Sequence, residues 1–245
     1  MIRVFVWNEF DNEKRYEKVG RVYPKGIHHV IAGFLEEDES FEVLTGTLEE
    51  PAHGLPDEVL DTIDVLIWWG HSRHQDVSDD LAVRIQKRVH DGMGFIALHS
   101  AHMAKPFLRL MGTSVNLQWR HDDRERVWNI LPQHPIAAGI PESFEIEQEE
   151  MYGEFFDIPA PDELIFLGWF AGGEVIRAGC TWQRGTGKVF YFQPGHEEYP
   201  VYYQAEIQRI IRNAVHWAKP THWNSRIGAP HSKISAEARR LEAQE

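Results

Sequence analysis

One cysteine in 245 residues, Cys180, leaves no internal disulfide framework and no cysteine-rich zinc knuckle. Positive charge is also scarce: 25 Lys and Arg stand against 38 Asp and Glu, a formal charge of -13. Such a surface repels phosphate backbones, and no basic stripe interrupted by aromatics relieves it, so nucleic acid is a poor partner. Long apolar runs are missing. The longest, Val65–Trp69 and residues 95–98, are strand-sized and far short of the roughly 20 residues that cross a bilayer, so no membrane role is expected. Residues 2–7 run directly into Asn8, Glu9 and Asp11 without the basic flank of a secretion signal, and the expected location is the cytoplasm. There is no internal repeat, no low-complexity tract and no indication of a nucleotide cofactor.

What is present is a chain that is 42% hydrophobic and 26% charged, which suits one large core better than two. Residues 2–7 read as a buried strand, and 26–37 place Ile27, Val30, Ile31, Phe34 and Leu35 on one helical face. Residues 41–45 form a second strand, and Val65–Trp69 is apolar enough to be covered on both faces, as parallel strands are. Leu81, Ile85 and Val89 mark a helix over 78–90, stopped by Gly92 before another buried strand, Gly94–Leu98. This alternation predicts an α/β fold with a doubly wound, mostly parallel sheet between two helical layers. Residues 119–123 and 144–152 look irregular, whereas 163–170, 174–182 and 188–192 read as strands joined by glycine-rich turns. A last amphipathic helix closes a domain spanning 1–219. The polar remainder, 220–245, is expected to be disordered or to pack as an arm on another subunit, which would make a homo-oligomer.

Ligands of open parallel sheets bind beyond the carboxyl ends of the strands. Those positions here are polar: Asn8 and Glu9, then Gly70 and His71, then His99, Ser100 and His102, then Gly195, His196, Glu197 and Glu198. Ala97-Leu98-His99-Ser100-Ala101 has the small flanking residues of a nucleophile elbow, with His99 at its centre and Ser100 one place out of register. Without a cysteine there, a thiolate route to an acyl-enzyme is closed.

The segments Leu98-His99-Ser100-Ala101, Gln148-Glu149-Glu150-Met151-Tyr152 and Gly187-Lys188-Val189-Phe190-Tyr191, leading to Gly195-His196, resemble the trehalose-utilisation (ThuA-like) family over residues 1–218. That resemblance implies a class I glutamine amidotransferase-like, flavodoxin-like three-layer fold. In those amidotransferases the catalytic His-x-Glu pair has the spacing of His196 and Glu198, and the elbow cysteine is what this chain lacks. The family's setting implies metabolism of trehalose or a related oxidised disaccharide.

Fourteen histidines are the compositional excess. His28, His71 and His99 are candidate zinc ligands, because neutral imidazoles at strand ends and a helix start suit three protein ligands with an open position. His196 is the candidate general acid/base, with Glu198 or Glu197 to orient it, and Glu150 and Tyr152 join it and His99 as catalytic candidates. Trp119, Ser100 and Glu9 are candidate substrate-binding residues, while His29, His74, His90, His134, His216, His222 and His231 read as loop or surface residues. Two functions follow: a histidine-based, zinc-assisted hydrolase or isomerase of a small sugar, or a non-catalytic sugar-binding or assembly module. A hydrolase using Ser100 is the third.

Overall fold

A computed structural model describes residues 1–223 and 231–243. Its strands are β1 (Ile2–Asn8), β2 (Phe41–Thr47), β3 (Val65–Trp69), β4 (Gly94–Leu98), β5 (Gln118–Asn129), β6 (Ser143–Gly153), β7 (Glu163–Phe170), β8 (Val175–Arg184) and β9 (Gly187–Phe192). They form one sheet in the order β2-β1-β3-β4-β9-β8-β7-β5-β6. The helices are α1 (Asn12–Arg15), α2 (Glu17–Val22), α3 (Ile27–Leu35), α4 (Asp57–Leu60), α5 (Asp79–Asp91), α6 (Lys105–Met111), α7 (Ala205–Ala218) and α8 (Ala236–Glu242).

The α/β class is as the alternation predicts, and the sheet has two characters. From β2 through β1, β3 and β4 to β9 the pairing is parallel. From β9 outward through β8, β7 and β5 to β6 it is antiparallel. Parallel neighbours need a crossover, and α3 and α5 supply two of them. Every residue of β3 and β4 is buried, which is why both read as uninterrupted apolar runs. Ser78 caps α5 by accepting the N–H of Leu81 at 3.2 Å, and Gly92 ends it at φ 139°, a conformation that a side chain would strain.

Three expectations are corrected. Residues 119–123, expected to be irregular, lie in the first half of β5, broken by bulges between Arg120 and Glu125 that a strand pattern hides, and residues 144–152, also expected to be irregular, lie within β6. The tail is not wholly irregular: Ser235 caps α8 by accepting the N–H of Ala238 at 3.1 Å, and Trp223 lies 4.3 Å from the Arg88 guanidinium. The rest of that expectation, on residues 224–230 and 244–245, lies outside the described residues.

Four of the nine tryptophans are buried in the core. Trp7 and Trp68 stack at 3.7 Å with both rings sealed, and Trp69 and Trp182 are buried as well. Trp119 is 59% exposed. Among the described residues no helix is long and apolar enough to cross a membrane.

At Gly187 the start of β9 meets the end of α5: an added Cβ would lie 2.0 Å from the Val89 carbonyl oxygen and 2.6 Å from that of Met93. Backbone cannot yield as a side-chain tip does, so Gly187→Ala should destabilise by about 1–3 kcal/mol, seen as a melting temperature lowered by several degrees. An unchanged melting temperature would show that the helix–strand contact is looser than described.

Candidate functional site

Four strand ends and the β5–β6 pair surround a cavity of about 540 Å³, with His71, Glu150, His196 and Glu197 among its lining residues. The β1 end shapes its floor. Glu9 accepts the backbone N–H groups of His71, Ser72 and Arg73 at 2.9, 3.0 and 2.9 Å, and the Ser72 hydroxyl at 2.8 Å. A carboxylate so filled holds the loop after β3 rather than a substrate, which corrects the expectation for Glu9.

That loop presents His71, whose Nδ1 lies 2.6 Å from Glu197 Oε1. Asn12 donates to the same oxygen at 2.6 Å. Burial disfavours a charged His71, but the Glu197 bond and charge outweigh it and raise its pKa; burial likewise acts against ionised Glu197, yet His71 and His196 lower its pKa to about 2.

After β4 the chain makes the strained turn that the elbow spacing predicts: His99 is at φ 51° and fully buried. Its Nδ1 lies 2.7 Å from the Gln193 carbonyl oxygen and its Nε2 3.2 Å from Glu150 Oε2. Tyr152 stacks on the ring at 4.6 Å. Burial opposes the imidazolium, but Glu150 and Glu149 more than offset it, so the His99 pKa is raised. The Ser100 hydroxyl donates to the Gly70 carbonyl at 2.8 Å, so its proton is held away from any base a nucleophile would need.

Glu150 faces three imidazoles: besides His99, its Oε1 lies 3.5 Å from His121 Nδ1 and 3.8 Å from His196 Nε2. The next residue back, Glu149, is fully enclosed and accepts the N–H groups of Glu150, Gly195 and His196 at 2.8, 2.7 and 3.0 Å. It fastens β6 to the turn after β9. In that turn the Glu198 N–H donates to His196 Nδ1 at 3.2 Å, while the Glu198 carboxylate pairs with Lys18 at 2.6 Å. The carboxylate beside His196 is therefore Glu197, 3.6 Å away, and Glu198 contributes through its backbone. Burial lowers the His196 pKa to about 4.

His71, Glu150 and His196 each bring a donor atom within 4.8 Å of the others. The expected set of His28, His71 and His99 is not assembled. His28 turns to Asn8, its Nδ1 3.0 Å from the Asn8 amide, with its ring edge-on to Phe10, and both nitrogens of His99 already have partners. Trp119 and Ser100 do line the cavity. Sequence reading passed over His121, swung inward by a bulge, and the positioning role of Glu149. It also placed His74 in a surface loop, although His74 lines the cavity; His134 is likewise buried rather than exposed. His102, which also lines the cavity, was visible as a strand-end residue.

The chain matches the family described as trehalose utilisation, ThuA, over residues 3–218. It belongs to the ThuA family. This ThuA chain is similar in fold to a protein described as ThuA-like from Parabacteroides merdae, at 15% identity and a TM-score of 0.64, covering 90% of this chain and 92% of that one. It also resembles a cytoplasmic protein from Salmonella typhimurium, at 12% identity and a TM-score of 0.60, covering 89% and 100%. A GMP synthase component from Thermoplasma acidophilum, so described, at 13% identity and a TM-score of 0.50, covers 88% and 93% and extends the likeness to the amidotransferase-like fold. No curated protein matches the chain by sequence.

Buried neutral histidines of this ThuA chain contribute stability that acid removes. Burial lowers the pKa of His28 to about 4 and of His102 to about 3, from 6.5. Between those values the unfolded chain binds more protons than the folded one, so this stability is complete above pH 6.5 and falls as pH drops toward 4. The melting temperature should decline across that window, and His28→Gln should make the decline shallower; an equally steep decline in the variant would remove His28 from the account.

Proposed function

We propose that this chain is a metal-assisted enzyme of sugar metabolism, a hydrolase or isomerase acting in the cytoplasm on a small polyol such as an oxidised disaccharide. The observation that carries this reading is the convergence on one cavity of His71 and His196, from the ends of β3 and β9, with Glu150 from within β6. Two imidazoles and a carboxylate form a donor set that suits zinc with one position open. The fit is supported by orphaned atoms: His196 Nε2 and Glu197 Oε2 are buried without hydrogen-bond partners. At 3.6 and 3.8 Å from carboxylate oxygens, His196 Nε2 is too far for a hydrogen bond; an ion bound there would require the Nδ1-protonated tautomer and the loss of the 3.2 Å Glu198 N–H bond. His71, with Nδ1 committed to Glu197, has Nε2 left to bind, the carboxylate–histidine arrangement that fixes a ligand ring.

A divalent ion, if held there, would supply Lewis acidity toward a carbonyl or water oxygen. The rest falls to the chain's own groups. His99 orients Glu150 across their 3.2 Å contact, and where no ion is held the pair can pass a proton to or from a sugar oxygen. Tyr152, stacked on His99, keeps that pair dry. Trp119, exposed on the rim, offers a flat apolar face to a sugar ring.

A second reading has its own support. With Nδ1 accepting the Glu198 N–H, a neutral His196 carries its proton on Nε2, aimed between Glu150 and Glu197, as a metal-free general acid would. Elemental analysis of chelator-free protein separates the two. The metal reading predicts close to one equivalent of zinc or another transition metal, lost in His71→Ala and His196→Ala, with Glu150→Gln lowering turnover of keto-disaccharides by roughly 10²-fold or more. Full turnover without metal would transfer the chemistry to His196. Sugar binding with no product by mass spectrometry under any metal condition would make the chain a binding module.

A further inference from the structure

The same cavity holds another enclosed imidazole that the chemistry above does not use. His102 follows β4, is 6% exposed and lines the cavity. Its Nδ1 lies 2.9 Å from the carbonyl oxygen of Val115. A carbonyl only accepts, so Nδ1 carries the proton and the neutral ring's Nε2 is a bare lone pair.

Three aromatic rings grip the imidazole edge-on: Tyr152 at 5.4 Å, Phe156 at 5.8 Å and Tyr191 at 6.5 Å. Turning the ring over would break the Val115 bond. The carbonyl that sets the tautomer is itself costly to place, because Val115 is at φ 52°, where a β-branched residue is a true outlier. Its N–H is tied to the Asp157 carbonyl at 3.0 Å, and its side chain is sealed in the core. Burial holds the His102 pKa near 3, so the ring stays neutral at working pH.

We infer that His102 is a specificity-determining residue whose Nε2 accepts a hydrogen bond from a ligand hydroxyl and rejects a carbonyl at that position. The inference rests on the cavity being a sugar site and holds with or without a metal. It divides the work of the cavity: an oxidised carbon belongs at the Glu150 side, and an intact alcohol at His102.

Side-chain nitrogen-15 NMR on the wild-type protein, with trehalose, glucose and glycerol as probes, tests it. His102 should show a protonated Nδ1 and a bare Nε2 from pH 5 to 9, with the Nε2 resonance moving when a probe binds. In calorimetry, His102→Asn, which can keep the Val115 bond but has no acceptor at the Nε2 position, should weaken binding about tenfold, and His102→Gln, which restores an acceptor there, should recover most of it. A proton on Nε2, or equal affinity in the wild type and the Asn variant, would overturn the inference. A probe that moves the Trp119 indole signal and leaves His102 unmoved would overturn it and spare the sugar site. No probe moving either signal would overturn both.

Discussion

Glu149, sealed from solvent, accepts backbone N–H groups from Glu150, Gly195 and His196, and the arrangement of the site depends on that one carboxylate. Ionised carboxylates are costly to bury unless fully bonded, and burial alone pushes the Glu149 pKa up. The three N–H donors counter this in part, and only if β6 and the turn after β9 meet at the right separation. That separation sets Glu150 against His196, and through Glu150 it sets His99. The same logic operates on the other side, where Glu9 accepts three successive N–H groups and thereby places His71. The two groups that do no chemistry in the proposal thus determine where the chemical groups stand.

Backbone strain gathers around the same cavity. His99, Val115 and Asp122 all adopt positive φ without being glycine. Each costs of order 1–3 kcal/mol and persists only because its surroundings over-determine it. Asp122 is held by the Tyr199 hydroxyl, and the adjacent Arg120 pairs with Asp123 and Glu174, which together fix the bulge that turns His121 toward Glu150. The stacked, solvent-free tryptophans and the fully buried β3 and β4 supply the rigid frame against which such turns can be kept.

Much of this was legible in the chain. Val65–Trp69 and Gly94–Leu98 are located to the residue because parallel strands covered on both faces leave unbroken apolar runs. His99 was recognisable from the small residues around it, and the polar residues after each strand led to His71 and His196. The rest depends on pairing between distant segments. Nothing local distinguishes Glu149, a structural carboxylate, from Glu150, which faces the cavity; only the β5–β6 register and the returning β9 turn do. His28 looked like a ligand because it opens a helix beside the apolar stripe, and only coordinates show it turning to Asn8. Bulges such as that in β5 leave no period in the sequence, so His121 was invisible.

The central claim is that the ends of β3 and β9, together with β6, bring His71, His196 and Glu150 to one point to hold a divalent ion. Anomalous diffraction from crystals grown with zinc and no chelator, collected on both sides of the zinc absorption edge, tests it most directly. The account predicts one strong peak at roughly 2.0–2.2 Å from a donor atom of each of the three residues. A peak elsewhere, or none there with His196 Nε2 hydrogen-bonded directly to Glu150 or Glu197, would contradict it.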